Sequence, residues 1–182
     1  GRPPISTVFP YTTLFRSAVR IFNEKEVDEL MVIDIDATAE NREPDYKMIK
    51  NIAMECRMPL CYGGGVKTVE QAQKIFSLGV EKIAISSAAI KDLSLIKRMG
   101  EKVGTQSVVV VLDVKKKFLG GYEIYTHNGT IGTGKNPIVF AKELEDLGIG
   151  EIVINSIDQD GMMKGYDLEL IEKVRERSEE HT

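Results

Sequence analysis

The sequence has no tryptophan and only two cysteines, Cys56 and Cys61. Two thiols cannot build a disulfide scaffold, and they point to a reducing compartment and hence a cytoplasmic protein. Histidine is as scarce: His127 and His181 are the only two, which excludes a histidine-rich metal centre, and no cofactor or metal is expected. No apolar run approaches the ~20 residues that cross a bilayer, so no membrane partner is expected. Positive charge is not in excess either. The 24 Lys+Arg against 28 Asp+Glu leave a net charge of −4 and a pI of about 5.4, which argues against a nucleic-acid partner. What remains is an ordinary globular balance of 42% hydrophobic and 29% charged residues in 182, enough for one domain or part of a larger one.

The two ends read differently from the middle. Residues 1–17 (GRPPISTVFPYTTLFRS) hold three of the six prolines and show no sustained helix or strand period. PYTTLFRS looks like a translated sequencing adapter, and RSEEHT at 177–182 looks like the adapter of the opposite end. The expectation is that 1–17 and 177–182 are artefacts outside the fold, and that the folded unit is 18–176.

Within that window strands and helices alternate. Apolar runs start at Glu29, Pro59, Lys82, Ser107 and Glu151. Helical spacing covers Tyr46–Cys56, Val69–Leu78, Leu93–Met99 and Pro137–Leu147, and another helix begins at Asp167. Runs as apolar as Val108–Leu112 suit strands covered on both faces, as in a parallel sheet. Repeated strand–helix–strand units predict an α/β fold, either a (βα)8 barrel or a doubly wound sheet. No G-x-G-x-x-G follows the first strand, which weakens the second option. A whole barrel takes about 250 residues, so five strands make an incomplete one. The segment Gly120–Gly134 is long for a βα loop, and its Asn128-Gly129 pair predicts a β-hairpin over the C-terminal face.

Polar residues gather where these strands end: Asp34 and Asp36, Gly63, Gly64 and Gly65, Ser86 and Ser87, Asp113 and Lys115, and Asn155, Ser156, Asp158 and Asp160. A barrel points all these ends at one mouth. For Asp36 and Asp158, helix capping or an ion pair is as good a reading as a functional one. Asp113 closes an apolar run at the rim of the core, a place that suits general acid–base work. Gly63–Gly65 with Ser86 and Ser87 make a phosphate cradle. Lys115 is placed to meet an anionic substrate. Cys61 reads as a small apolar interior residue, Cys56 as helix packing, and His127 as an exposed loop residue rather than a base.

With those residues in view, the stretches VDELMVIDIDAT (27–38), MPLCYGGGVKT (58–68), VEKIAISSAAI (80–90), GTQSVVVVLDVKKK (104–117) and GIGEIVINSIDQDGMMKGYDLELI (148–171) resemble the cyclase subunit family of imidazole glycerol phosphate synthase. The resemblance implies strands two to six of a TIM (βα)8 barrel. It implies a lyase/cyclase of histidine biosynthesis that receives ammonia from a glutaminase (amidotransferase) partner and acts on a phosphorylated small molecule, a formimino-linked phosphoribulosyl aminoimidazole carboxamide ribonucleotide. It implies catalytic roles for Asp113 and Asp160, and phosphate binding at Gly65, Ser86 and Ser87. The family's other catalytic aspartate, on strand one, would precede Ala18, so the chain alone is expected to be inactive. Ser86-Ser87, Asn155 and Met162-Met163-Lys164 depart from the family's usual residues. They look like a paralogous branch that serves sugar amidination for surface polysaccharide. A non-catalytic phosphate-binding fragment is the remaining alternative.

Overall fold

The computed structural model describes residues 11–127, 129–159, 162 and 165–179. The valine run at the middle of the chain shows how its pattern becomes structure. β-Branched side chains stiffen the extended backbone and fill a pleated surface on both sides. Val108–Lys116 accordingly forms the longest strand, β4. Around it lie β1 (Leu30–Ile33), β2 (Leu60–Gly63), β3 (Lys82–Ile85), β5 (Tyr122–Thr126), β6 (Ile131–Gly132) and β7 (Glu151–Ser156). β1, β2, β3, β4 and β7 are parallel neighbours in that order. They begin at residues 30, 60, 82, 108 and 151, within one residue of the expected starts. This curled parallel arc with helices in its crossovers is part of a (βα)8 barrel.

The helices are α1 (Tyr11–Glu24), α2 (Ile35–Ala39), α3 (Tyr46–Glu55), α4 (Val69–Phe76), α5 (Ser87–Lys91), α6 (Leu93–Val103), α7 (Pro137–Asp146) and α8 (Leu168–Glu179). Short polar side chains start them. Thr68 and Gln71 form a reciprocal capping box on α4, Asp45 and Asp92 cap α3 and α6, and Asn136 caps α7 with Pro137 at its first position. None of the helices among the described residues is long and apolar enough to cross a membrane.

The absence of helical period expected over 1–17 does not hold from Tyr11 on, where α1 begins. The spacing Phe15, Ala18, Val19, Phe22 is i, i+3, i+4, i+7, and dividing the chain at Ser17 hides it. Val19 is buried, and Asn23 clasps the α3–β2 connection by donating to Glu55 O (2.8 Å) and accepting from Arg57 N (3.0 Å).

Alternation along the strands separates two interiors. Val108, Val110, Leu112 and Val114 face outward into the main core, packed with Ile49, Ile75, Ile96, Met99, Phe140 and Leu144. The intervening residues face the barrel axis, where Cys61, Ala84 and Val109 pack with Met31, Val111 and Val153. Two residues below this layer, at the strand N-termini, Lys82 Nζ lies 2.7 Å from Glu29 Oε2 and 2.8 Å from Glu151 Oε2. Those bonds, Glu151's first, hold the Lys82 ammonium charged well above the ordinary lysine range.

β4 outruns its parallel neighbours. Its last four residues, Asp113–Lys116, pair antiparallel with Tyr122–Tyr125 of β5, and β5 pairs antiparallel with β6. The expected hairpin is therefore present, with Thr126 paired to Ile131; Asn128, on which the expected turn rests, lies outside the described residues.

Polar bonds fasten the hairpin to the chain after β7. Lys116 N donates to Asp158 Oδ2 (2.9 Å), Tyr122 Oη to Asp167 Oδ1 (3.0 Å), and Lys116 Nζ lies 2.8 Å from Glu169 Oε2. Lys116 and then Lys173 hold the Glu169 carboxyl down to about 2 from the usual 4.5. A folded pKa below the unfolded one contributes stability above the unfolded value and loses it as pH falls through the folded one. The clamp on α8 is thus expected to be intact above about pH 4.5 and to release towards pH 2. A side-chain carboxyl NMR titration of Glu169 with a midpoint near 4.5 would contradict this.

Candidate functional site

At the C-terminal ends of the parallel strands lies an open cleft of about 930 Å³. Period-two alternation turns Asp113 and Asn155 to the inner face at the top of β4 and β7, two residues above Val111 and Val153. They are register partners, and Asn155 Nδ2 donates to Asp113 Oδ1 at 2.9 Å. The second oxygen of Asp113 is left for other partners. Ser86 and Ser87 follow β3, and the Ser86 hydroxyl makes no capping bond to α5.

Gly63, Gly64 and Gly65 also line the cleft. Their lack of side chains has a packing reason. A Cβ on Gly64, at φ +112°, would run into the Asp34 carbonyl oxygen, and one on Gly65, at φ +70°, would lie 2.8 Å from Arg42 O. The loop from Asp34 to Pro44 can settle on the end of β2 because these positions are bare.

Of the residues expected at the mouth, Asp34, Gly63, Gly64, Gly65, Ser86, Ser87, Asp113 and Asn155 share this one cleft. Asp34 is committed in part to local structure: it caps α2 through Asp36 N (3.2 Å) and Ala37 N (3.1 Å), and Arg42 Nη1 lies 3.6 Å from its Oδ2. Lys115 does not line the cleft as expected. Its ammonium donates to Gly129 O (2.8 Å) and sits over the Tyr125 ring, because the antiparallel pairing of β4 with β5 carries it onto the hairpin. Ser156 belongs to β7 and does not line the cleft, since it alternates away from Asn155. Asp158 accepts from the Lys116 amide. Asp160 lies outside the described residues.

Some lining residues escape a reading that stops at strand ends. Lys67, Lys91 and Arg98 line the cleft beside Gly65 and Ser87, and all three follow the strands by several residues. Lys67 Nζ donates to Asn41 Oδ1 (2.6 Å), and Arg98 reaches Ser94 Oγ (2.6 Å) and Asp92 Oδ2 (3.2 Å). The β1–β3 end of the cleft thus carries the cations Lys67, Lys91 and Arg98 and the hydroxyls of Ser86 and Ser87, with Asp34 and Asp92 engaged by Arg42 and Arg98, and the β4–β7 end carries Asp113. His127 is a correction to the expectation of an exposed loop residue: it is half-buried and lines the same cleft. The folding back of β5 brings it there, a long-range event invisible in local sequence.

Cys61 is fully buried among inner-face residues, and burial pushes its thiol up to about 12. Burial also raises the Cys56 thiol, though Cys56 is only half-buried and hydrogen-bonds to Met58 O (3.3 Å). Iodoacetamide at pH 8 is expected to modify Cys56 slowly and Cys61 only after denaturation. Two equivalents taken up rapidly by the native protein would contradict that.

The arrangement defines a class: a barrel arc that carries a polar, charge-rich cleft at the C-terminal ends of its strands. Its family follows from comparison with known proteins. The sequence profile of the histidine biosynthesis protein family matches residues 11–182, and the chain belongs to that family. A Pseudomonas aeruginosa protein provisionally named imidazole glycerol phosphate synthase subunit hisF2 is 54% identical over 158 residues, covering 87% of this chain and 63% of the relative. A Vibrio vulnificus protein, provisionally named subunit hisF3, is 54% identical over 160 residues, covering 87% and 62%. The Sulfurisphaera tokodaii imidazole glycerol phosphate synthase subunit HisF is 39% identical over 153 residues, covering 84% and 61%. The chain thus spans about six-tenths of the length of the curated relatives it matches.

Proposed function

We propose that these residues form the ammonia-accepting half-site of a cyclase/lyase subunit of the imidazole glycerol phosphate synthase type, working with a glutaminase partner. The observation that carries this reading is that Lys67, Lys91, Ser86 and Ser87 share one cleft with the strand-end carboxylate of Asp113. Ser86, Ser87, Lys67 and Lys91 suit the phosphate of an anionic substrate, and Asp113 stands across from them with one carboxylate oxygen held by Asn155. The carboxylate then moves protons at the ring-forming carbon and nitrogen while the phosphate fixes the register of the substrate. The 182-residue chain by itself is expected to be inactive, because the reaction also draws on a second aspartate from another strand.

A second reading, sugar amidination in a paralogous branch, is favoured by Ser86-Ser87 and by the higher identity to relatives numbered hisF2 and hisF3. One assay separates the two. A polypeptide of the relatives' full length that carries these residues is given an ammonium salt and the formimino-linked phosphoribulosyl aminoimidazole carboxamide ribonucleotide, with products followed by mass spectrometry. Formation of imidazole glycerol phosphate and the aminoimidazole carboxamide ribonucleotide supports the first reading. No turnover of that substrate, with amidination of a sugar nucleotide instead, moves the assignment to the second.

A further inference from the structure

We infer that His127 is a substrate-positioning residue, whose Nε2 accepts a hydrogen bond from an N–H or O–H donor of the ligand bound at Asp113. This rests on the reading of the cleft as a site for a phosphorylated imidazole ribonucleotide. His127 lines that cleft together with Asp113 and Asn155 and is half-buried. Its backbone is left-handed, with φ 51°, a conformation that costs a non-glycine residue free energy and is kept only where surrounding bonds impose it.

Those bonds are present. Thr130 N donates to Thr126 O (3.1 Å), Thr130 Oγ1 donates to His127 O (2.7 Å), and Lys115 Nζ donates to Gly129 O (2.8 Å). Gly129 packs against Ile157, another lining residue of the cleft. The ring is oriented as well as the backbone. The Thr126 hydroxyl lies 3.4 Å from Ile131 O and 3.2 Å from His127 Nδ1. With that hydroxyl turned to Ile131 O, the fitting tautomer carries its proton on Nδ1 and leaves Nε2 as the acceptor. Asp113 is an acceptor too. Two acceptors on one side of a cleft whose other end carries Lys67, Lys91 and the Ser86 and Ser87 hydroxyls fit a ligand with a phosphate at one end and amino or hydroxyl donors at the other.

The test uses the 182-residue chain with two probes, inorganic phosphate and the aminoimidazole carboxamide ribonucleotide. Their affinities are measured by NMR titration, with the His127 imidazole nitrogens followed by 15N shifts. The variants are His127→Ala and His127→Asn. Asparagine tolerates the left-handed backbone and offers a polar atom near the Nδ1 position only, so it preserves the turn while removing Nε2. The ribonucleotide is expected to shift Nε2 and phosphate to leave it unmoved. Both variants should weaken the ribonucleotide about fivefold or more, the worth of one hydrogen bond, and leave the phosphate affinity unchanged. Unchanged ribonucleotide affinity in His127→Asn, or an equal loss for both probes, overturns the role of His127 with the site intact. Failure of the ribonucleotide to bind the parent chain overturns the reading of the site, and this role falls with it.

Discussion

Replacing Gly64 with valine is expected to destabilise the fold by about 3 kcal/mol or more, a large fraction of the roughly 5–15 kcal/mol that keeps a typical domain folded. Gly64 sits at φ +112°, outside the reach of an ordinary L-residue, so the backbone must shift before any side chain is considered. The side chain then has nowhere to go: its Cβ would overlap the Asp34 carbonyl oxygen and lie 2.8 Å from Asp34 Cβ. Moving Asp34 is costly, because its amide donates to Gly63 O (2.8 Å) and its carboxylate caps α2. A chemical denaturation midpoint within error of the parent's would show that this loop gives way freely. The contrast is Gly120→Ala. That glycine also has positive φ (92°), but nothing lies within 4 Å of its Cβ position, so only the conformational term of about 1 kcal/mol applies.

Asp113→Asn is expected to leave the fold intact and to remove about 10²- to 10⁴-fold of the turnover in the ammonia-dependent assay above, the usual worth of a general acid–base group. The substitution is nearly isosteric. The amide oxygen still accepts from Asn155 Nδ2, so the β4–β7 pairing keeps its side-chain bond. What it loses is a group that can take up and release a proton. The Tm should therefore move little while kcat collapses. A large drop in Tm would instead make Asp113 chiefly a structural partner of Asn155, and near-normal turnover would place the proton transfers elsewhere.

The parallel strands were readable because each is a short, nearly unbroken apolar run closed by a polar residue, and Val108–Leu112 shows that pattern most fully. α3, α4, α6 and α7 are readable for a related reason: their caps are local, two or three residues from the amides they bind. The short helices α2 and α5 were not, since five residues are too few to display a period. α1 was lost to a division of the chain at Ser17. At the cleft, Asp113, Asn155, Ser86 and Ser87 were visible as strand-end polar residues. The surroundings of His127 and Lys115 share one long-range cause: β5 folds back on β4, which brings His127 to the cleft and Lys115 Nζ onto Gly129 O. Nothing within a few residues of either encodes that pairing.

β4 has a peculiarity that bears on how Asp113 behaves over time. At that residue the strand has a parallel neighbour on one flank, Asn155, and an antiparallel neighbour on the other, Tyr125. The two pairings overlap there, so Asp113 is stitched in from both sides by strands belonging to different parts of the chain. Loops round a barrel mouth open and close cheaply, and their amides trade hydrogen for deuterium quickly. The peptide carrying Asp113 should be among the slowest to trade, since freeing it requires two sheets' worth of pairing to part together. The Asp113 backbone is thus held on both flanks, in contrast to the loops around it.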